Sequence, residues 1–87
     1  MALAPRMTLN VIARAPFQIY FEGEAEIVSA SNRVGPFDVL AGHADFFSVL
    51  TPGEVLIQPV VDDPITFKIT NGIITVRDDE VMLFVNM

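Results

Sequence analysis

The sequence predicts an all-β protein, a two-sheet, mainly antiparallel β-sandwich, and three observations predict it. No window of about 11 or more residues carries apolar side chains at the i, i+3, i+4, i+7 spacing of an amphipathic helix without a Gly, a Pro or a β-branched run breaking it. Short runs alternate apolar and polar residues with period 2 instead, as a half-buried strand requires. Turn-forming residues punctuate these runs at short intervals along the whole chain, which is the spacing of a sandwich or barrel.

Taken in order, Thr8 to Ala13 places Leu9, Val11 and Ala13 on one face, and Glu24 to Ile27 turns Ala25 and Ile27 inward. Glu54 to Ile57 follows, then Ile65 to Thr70, with Ile65, Phe67 and Ile69 inward and Thr66, Lys68 and Thr70 outward. Ile73 to Arg77 and Val81 to Val85 flank a compact acidic turn and form the clearest hairpin. The turns are expected at Pro16, Glu22-Gly23, Gly35-Pro36, Ala41-Gly42, Thr51-Pro52-Gly53, Asp62-Asp63-Pro64, Asn71-Gly72 and Asp78-Asp79-Glu80. Residues 1–7 read as a flexible tail and residues 8–87 as one domain, with Ile27, Phe67, Ile69, Val76 and Leu83 in its core.

Composition narrows the function. Hydrophobic residues make up 52% of the 87 positions and charged ones 18%, so the chain can bury a core and is not of the disordered class. It holds no cysteine and a single histidine, which excludes disulfides, thiolate nucleophiles and Cys-based zinc sites. Five basic residues against eleven acidic ones give a net charge of −6, with the cations scattered, so no nucleic acid partner is expected. No apolar run reaches the roughly 18 residues of a membrane span, and no direct membrane insertion is expected. The expected location is therefore cytoplasmic.

Catalytic patterns are sparse. His43 and Asp45 would share a face if extended, with Ser29, Ser31 and Ser48 as nominal nucleophiles, but no G-x-S-x-G elbow accompanies them. Asp62-Asp63 and Asp78-Asp79-Glu80 are adjacent carboxylates of the kind that reverse a chain in solvent. No phosphate-cradling glycine loop, EF-hand or zincin motif occurs, so no cofactor, no metal and no tight nucleotide binding are expected. Phe17, Tyr20, Phe21, Phe46 and Phe47 read as core aromatics rather than a stacking platform.

One ordered set of motifs carries more. FEGEAEIV (Phe21 to Val28), GPFDVLAGHADFFSVLTPG (Gly35 to Gly53), TNGIITV (Thr70 to Val76) and VMLFVN (Val81 to Asn86) resemble the N-terminal β-sandwich domain of the epsilon subunit of the F-type ATP synthase. V-L-A-G-H-A followed by an apolar run and L-T-P-G is the most specific of them. Ala41 stands where that family commonly has proline, and Pro36 where it commonly has an acidic residue. The sequence ends at Met87, whereas such subunits usually continue into a pair of helices, so it reads either as a naturally short form of the subunit, lacking those helices, or as its N-terminal domain alone.

The resemblance implies a non-catalytic rotor component of the central stalk, linking the gamma subunit to the c-ring and held peripherally at an energy-transducing membrane by the complex. It implies a gamma-facing segment at Gly42, His43, Ala44 and Asp45, and a c-ring-facing loop at Arg33, Val34, Gly35, Pro36 and Asp38. The alternative is a free-standing interaction module that kept the sandwich and left the synthase.

Overall fold

A computed structural model of the chain describes residues 8–87. The expected tail, residues 1–7, lies outside the described residues. Eight strands fill the described part: β1 (Leu9–Ala15), β2 (Gln18–Asn32), β3 (Gly35–Leu40), β4 (Phe46–Leu50), β5 (Gly53–Pro59), β6 (Ile65–Ile69), β7 (Asn71–Arg77) and β8 (Glu80–Asn86). They are hydrogen-bonded in the order β4-β7-β8-β1-β2-β5-β6, with β3 also on β2. Every pairing is antiparallel except β1 with β8.

The long strand β2 turns this sheet into two layers. Its first half pairs with β1, and its second half with β3 and β5. One layer is thus β4-β7-β8-β1 with the start of β2, and the other is β3, β5 and β6 with its end. Leu9, Val11, Ala25, Val28, Val39, Leu50, Ile57, Ile74, Val76 and Leu83 from both layers meet in a single buried cluster. Each valine, leucine or isoleucine side chain so withdrawn from water is worth about 1.5–3 kcal/mol, the main term holding the layers together. Half-buried aromatics pack against this cluster, with Tyr20 stacked on Phe67 at 5.7 Å and Phe37 set edge-on to Phe46 at 5.7 Å.

The alternation expected in β1 holds, with Leu9, Val11 and Ala13 buried, and Ile69, Val76 and Leu83 are core residues as expected. Ile27 is not. The register against β5 slips between Ala25 and Ile27, a β-bulge that inserts one residue and reverses the phase, so Val28 takes the inward position and Ile27 is only half-buried. Phe67 and Ile65 face inward but stay half-buried, because β6 is the last strand of its layer.

Three expected turns are strand instead. Glu22-Gly23 lies within β2, where Val11 pairs with Gly23 and Ile12 with Glu22. Gly35-Pro36 opens β3, and the reversal falls one step earlier, at Arg33-Val34, where the Asn32 side-chain oxygen accepts the Val34 amide at 2.9 Å. Asn71-Gly72 begins β7, paired with Asn86 and Val85. The acidic hairpin turn is as expected: Asp78 and Asp79 hold φ of 48° and 63°, the two successive left-handed residues of a two-residue hairpin loop. Two of the aromatics read as core are not core, since Phe17 sits fully exposed at the β1–β2 turn and Phe47 points outward from β4.

Candidate functional site

The connector between β3 and β4 holds the residues of the expected gamma-facing segment, and its conformation follows from a few polar contacts. Gly42 adopts φ 83°, a left-handed value that favours glycine, so the chain reverses there. The Gly42 amide donates to Asp79 Oδ1 at 2.7 Å, and the Asp78 amide donates to Asp45 Oδ1 at 3.0 Å. Two aspartates thus latch the connector and the β7–β8 turn to each other. His43 lies over Phe46 with ring centroids 4.9 Å apart and Nδ1 2.7 Å from the Ala44 carbonyl. Gly42, His43, Ala44 and Asp45 are all exposed.

These contacts also draw four of the five residues of the nominal triad to other partners. Asp45 serves the Asp78 amide, His43 turns to its neighbour's carbonyl, the Ser29 hydroxyl donates to Asp38, and the Ser48 hydroxyl donates to the Val49 carbonyl at 3.3 Å. A nucleophile, a base and an orienting acid in mutual contact are what such chemistry needs, and these side chains point elsewhere.

Arg33, Val34, Gly35, Pro36 and Asp38 form the hairpin at the other end of β3, with Arg33 and Val34 at its exposed tip. The six residues of β3, Gly35–Leu40, separate the Arg33-Val34 tip from the connector by about 17–20 Å. That tip and the connector therefore lie at opposite ends of β3, with Asp38 within the strand between them.

A further surface feature involves residues that the sequence reading does not single out. On the outer side of the β4-β7-β8-β1 layer the register aligns Val49, Ile73, Phe84 and Arg14 in one row and Phe47, Thr75, Met82 and Ile12 in the next. Phe47 is 63% exposed, Val49 59%, Met82 49% and Phe84 42%. A third row, Arg77, Glu80, Asn10 and Glu24, is charged and polar, and it ends beside the turn that Asp45 caps. The rows border an open groove of about 460 Å³ lined by Ile12, Glu22, Glu24, Arg77, Glu80 and Met82 among others.

A contiguous exposed apolar patch on a small protein marks an interaction surface. The opposite layer is more polar: Ser29, Ser31, Asp38, Glu54, Gln58, Thr66 and Lys68 lie on its outer side, together with Ile27, Pro36, Leu40 and Leu56. The outer side of the β4-β7-β8-β1 layer is the more apolar of the two. The signal for this was present in FFSVL, NGIIT and VMLFV, which are apolar on both faces of their strands.

The described residues thus form an all-β sandwich with one apolar outer face. The chain belongs to the family described as the ATP synthase Delta/Epsilon chain, beta-sandwich domain, whose model matches residues 7–87. It is 38% identical over 72 residues to ATP synthase epsilon chain 1 of Methylococcus capsulatus, covering 82% of this chain and 51% of that one. To the ATP synthase epsilon chain of Clostridium novyi it is 31% identical over 81 residues, covering 93% of this chain and 60% of the relative. The chain thus spans between half and three-fifths of these relatives' length. Its fold matches a chain in the Euglena gracilis mitochondrial ATP synthase, OSCP/F1/c-ring, with a TM-score of 0.85 at 17% identity over 94% of this chain and 52% of that one. A chain of the Tetrahymena thermophila mitochondrial ATP synthase central stalk/c-ring gives 0.77 at 21% identity, over 97% of this chain and 67% of that one. Among the described residues no helix is long and apolar enough to cross a membrane.

Proposed function

We propose that this domain is a non-catalytic part of the central-stalk rotor of an F-type ATP synthase, seated on the gamma subunit and touching the c-ring. The single observation that carries the reading, beyond family membership, is the apolar outer face of the β4-β7-β8-β1 layer, which gives the sandwich one side to bury against a shaft. The connector with Gly42, His43, Ala44 and Asp45 borders this face through the Asp45 contact to the β7–β8 turn, and extends the gamma-facing surface. Arg33, Val34, Gly35 and Pro36 at the far end of β3, with Asp38 within the strand, are the residues assigned to the ring.

Mechanically such a part must transmit force without deforming. Close-packed interiors have low compressibility, and every strand of this sandwich contributes to one continuous hydrogen-bonded sheet. The two contact regions, joined by β3, then move as one body. The domain itself makes and breaks no bonds, inserts nothing into the membrane and binds neither nucleic acid nor nucleotide tightly; the complex holds it at the energy-transducing membrane.

Co-expression with the gamma subunit and c-ring of the same organism tests this. Co-purification of all three is expected, and Phe84→Asp on the apolar face should release gamma while the isolated domain stays folded. Gamma retained at wild-type affinity by that variant would overturn the docking assignment.

A further inference from the structure

Building on the proposed seating against gamma, we infer that the surface docked there is an apolar ridge flanked on one side by lysine or arginine, and that this flank meets Glu22, Glu24 and Glu80. The apolar stripe covers β4, β7 and β8, two inter-strand spacings or about 10 Å across, the width of a single ridge of side chains. Beyond it toward β1 and β2 the chemistry changes within the same continuous face. Met82 is followed across the sheet by Ile12 and then Glu22, and Glu80 by Asn10 and then Glu24.

The groove beside the stripe therefore holds three carboxylates, Glu22, Glu24 and Glu80, against one guanidinium, Arg77. Glu24 accepts the Thr8 hydroxyl at 2.8 Å, which fixes the carboxylate without neutralising it. A partner that covers Phe84, Met82 and Phe47 brings its own flank over these carboxylates and takes water from them. Desolvating uncompensated carboxylates is costly, so a neutral or acidic flank is disfavoured and a cationic one is selected. The same charge argues against a second copy of this chain as occupant. Face-to-face pairing would bring acidic grooves together on molecules that each carry a net −6.

The test is association with the cognate gamma subunit by surface plasmon resonance between low and 0.5 M salt, comparing wild type, the triple variant Glu22→Gln/Glu24→Gln/Glu80→Gln, and Phe84→Asp. The wild-type on-rate should fall with salt. The triple variant should associate about tenfold more slowly at low salt, show little salt dependence, and meet the wild type at 0.5 M, because glutamine removes the charge and keeps the shape. If Phe84→Asp abolishes binding but the triple variant keeps the wild-type on-rate and salt slope, the face is right and the basic flank is refuted. If Phe84→Asp binds normally, the seating on which the inference rests has failed. An on-rate that rises with salt in the wild type would mean an acidic flank, and would also overturn it.

Discussion

Replacing Gly72 by alanine adds one methyl group where the sheet has no room for it. An ideal Cβ at Gly72 lies 2.9 Å from the Phe84 carbonyl oxygen, 3.1 Å from Val85 Cγ1 and 3.4 Å from Val85 Cα. The nearest of these atoms is backbone of the paired strand β8, and it cannot swing aside as a side-chain tip can. Overpacking of this kind costs about 1–3 kcal/mol. Against it stands the loss of glycine's freedom in the unfolded chain, which by itself stabilises the folded state by about 0.4–1 kcal/mol. The net expectation is destabilisation by roughly 1.5 kcal/mol, which for a domain of this size lowers Tm by about 6–12 °C. Gly23 is the internal control: its Cβ would meet the Phe21 ring at 3.4 Å, an ordinary contact, so Gly23→Ala should be neutral or stabilising. Urea unfolding followed by circular dichroism reads both variants, and an unchanged m-value confirms that stability alone has moved. A Gly72→Ala variant as stable as wild type would refute the pairing of Gly72 with Val85 and the close β7–β8 approach.

Further outcomes follow from the same structure. Val28→Ala should cost about 1.5–3 kcal/mol and Ile27→Ala less than about 1, because the bulge puts Val28 and not Ile27 in the core; urea midpoints in the reverse order would remove the bulge. Asp79→Ala should cost about 1–2 kcal/mol by thermal melting, since it removes the acceptor of the Gly42 amide and leaves alanine at φ 63°; no change would mean that the latch contributes nothing. Titration calorimetry with ATP should give no micromolar dissociation constant, because the sequence offers no glycine loop for phosphates and its acidic residues outnumber its basic ones eleven to five.

What the sequence made legible was the fold class, and the reason is visible strand by strand. β8 alternates strictly between buried and exposed positions, β1 buries every second residue from Leu9 to Ala13, and the Asp78-Asp79 turn between β7 and β8 announces itself through its residue types. The errors lie where polar or turn-forming residues occupy strand. Glu22-Gly23 resembles a turn, yet the two residues simply continue β2, with Glu22 on the outer face and Gly23 opposite Val11. Gly72 is glycine because of the Phe84 carbonyl, a neighbour distant in sequence. Bulges at Ala25/Ile27 and at Ala13/Arg14 shift the phase by one residue, and no local pattern marks them.

The connector and hairpin residues are singled out only through the family resemblance, and the apolar face could not be found by assigning every apolar residue inward. Ile73, Met82 and Phe84 reveal themselves only when their neighbours Ile74, Leu83 and Val85 are seen to fill the core already. The polar latch of Asp45 and Asp79 was equally hidden, since it joins segments more than thirty positions apart, with separations of 33 and 37 residues.

The central claim is that the β4-β7-β8-β1 face is the one covered by the shaft, and methyl-resolved NMR measures it directly. Labelled domain is titrated with unlabelled cognate gamma subunit, and the methyl signals of the two outer faces are compared. Shifts and broadening are expected at Ile12, Val49, Ile73 and Met82, with Leu40 and Leu56 on the opposite layer unchanged at matched occupancy. Perturbation confined to Leu40 and Leu56, with Ile73 and Met82 still, would place the partner on the wrong side of the sandwich and contradict the account.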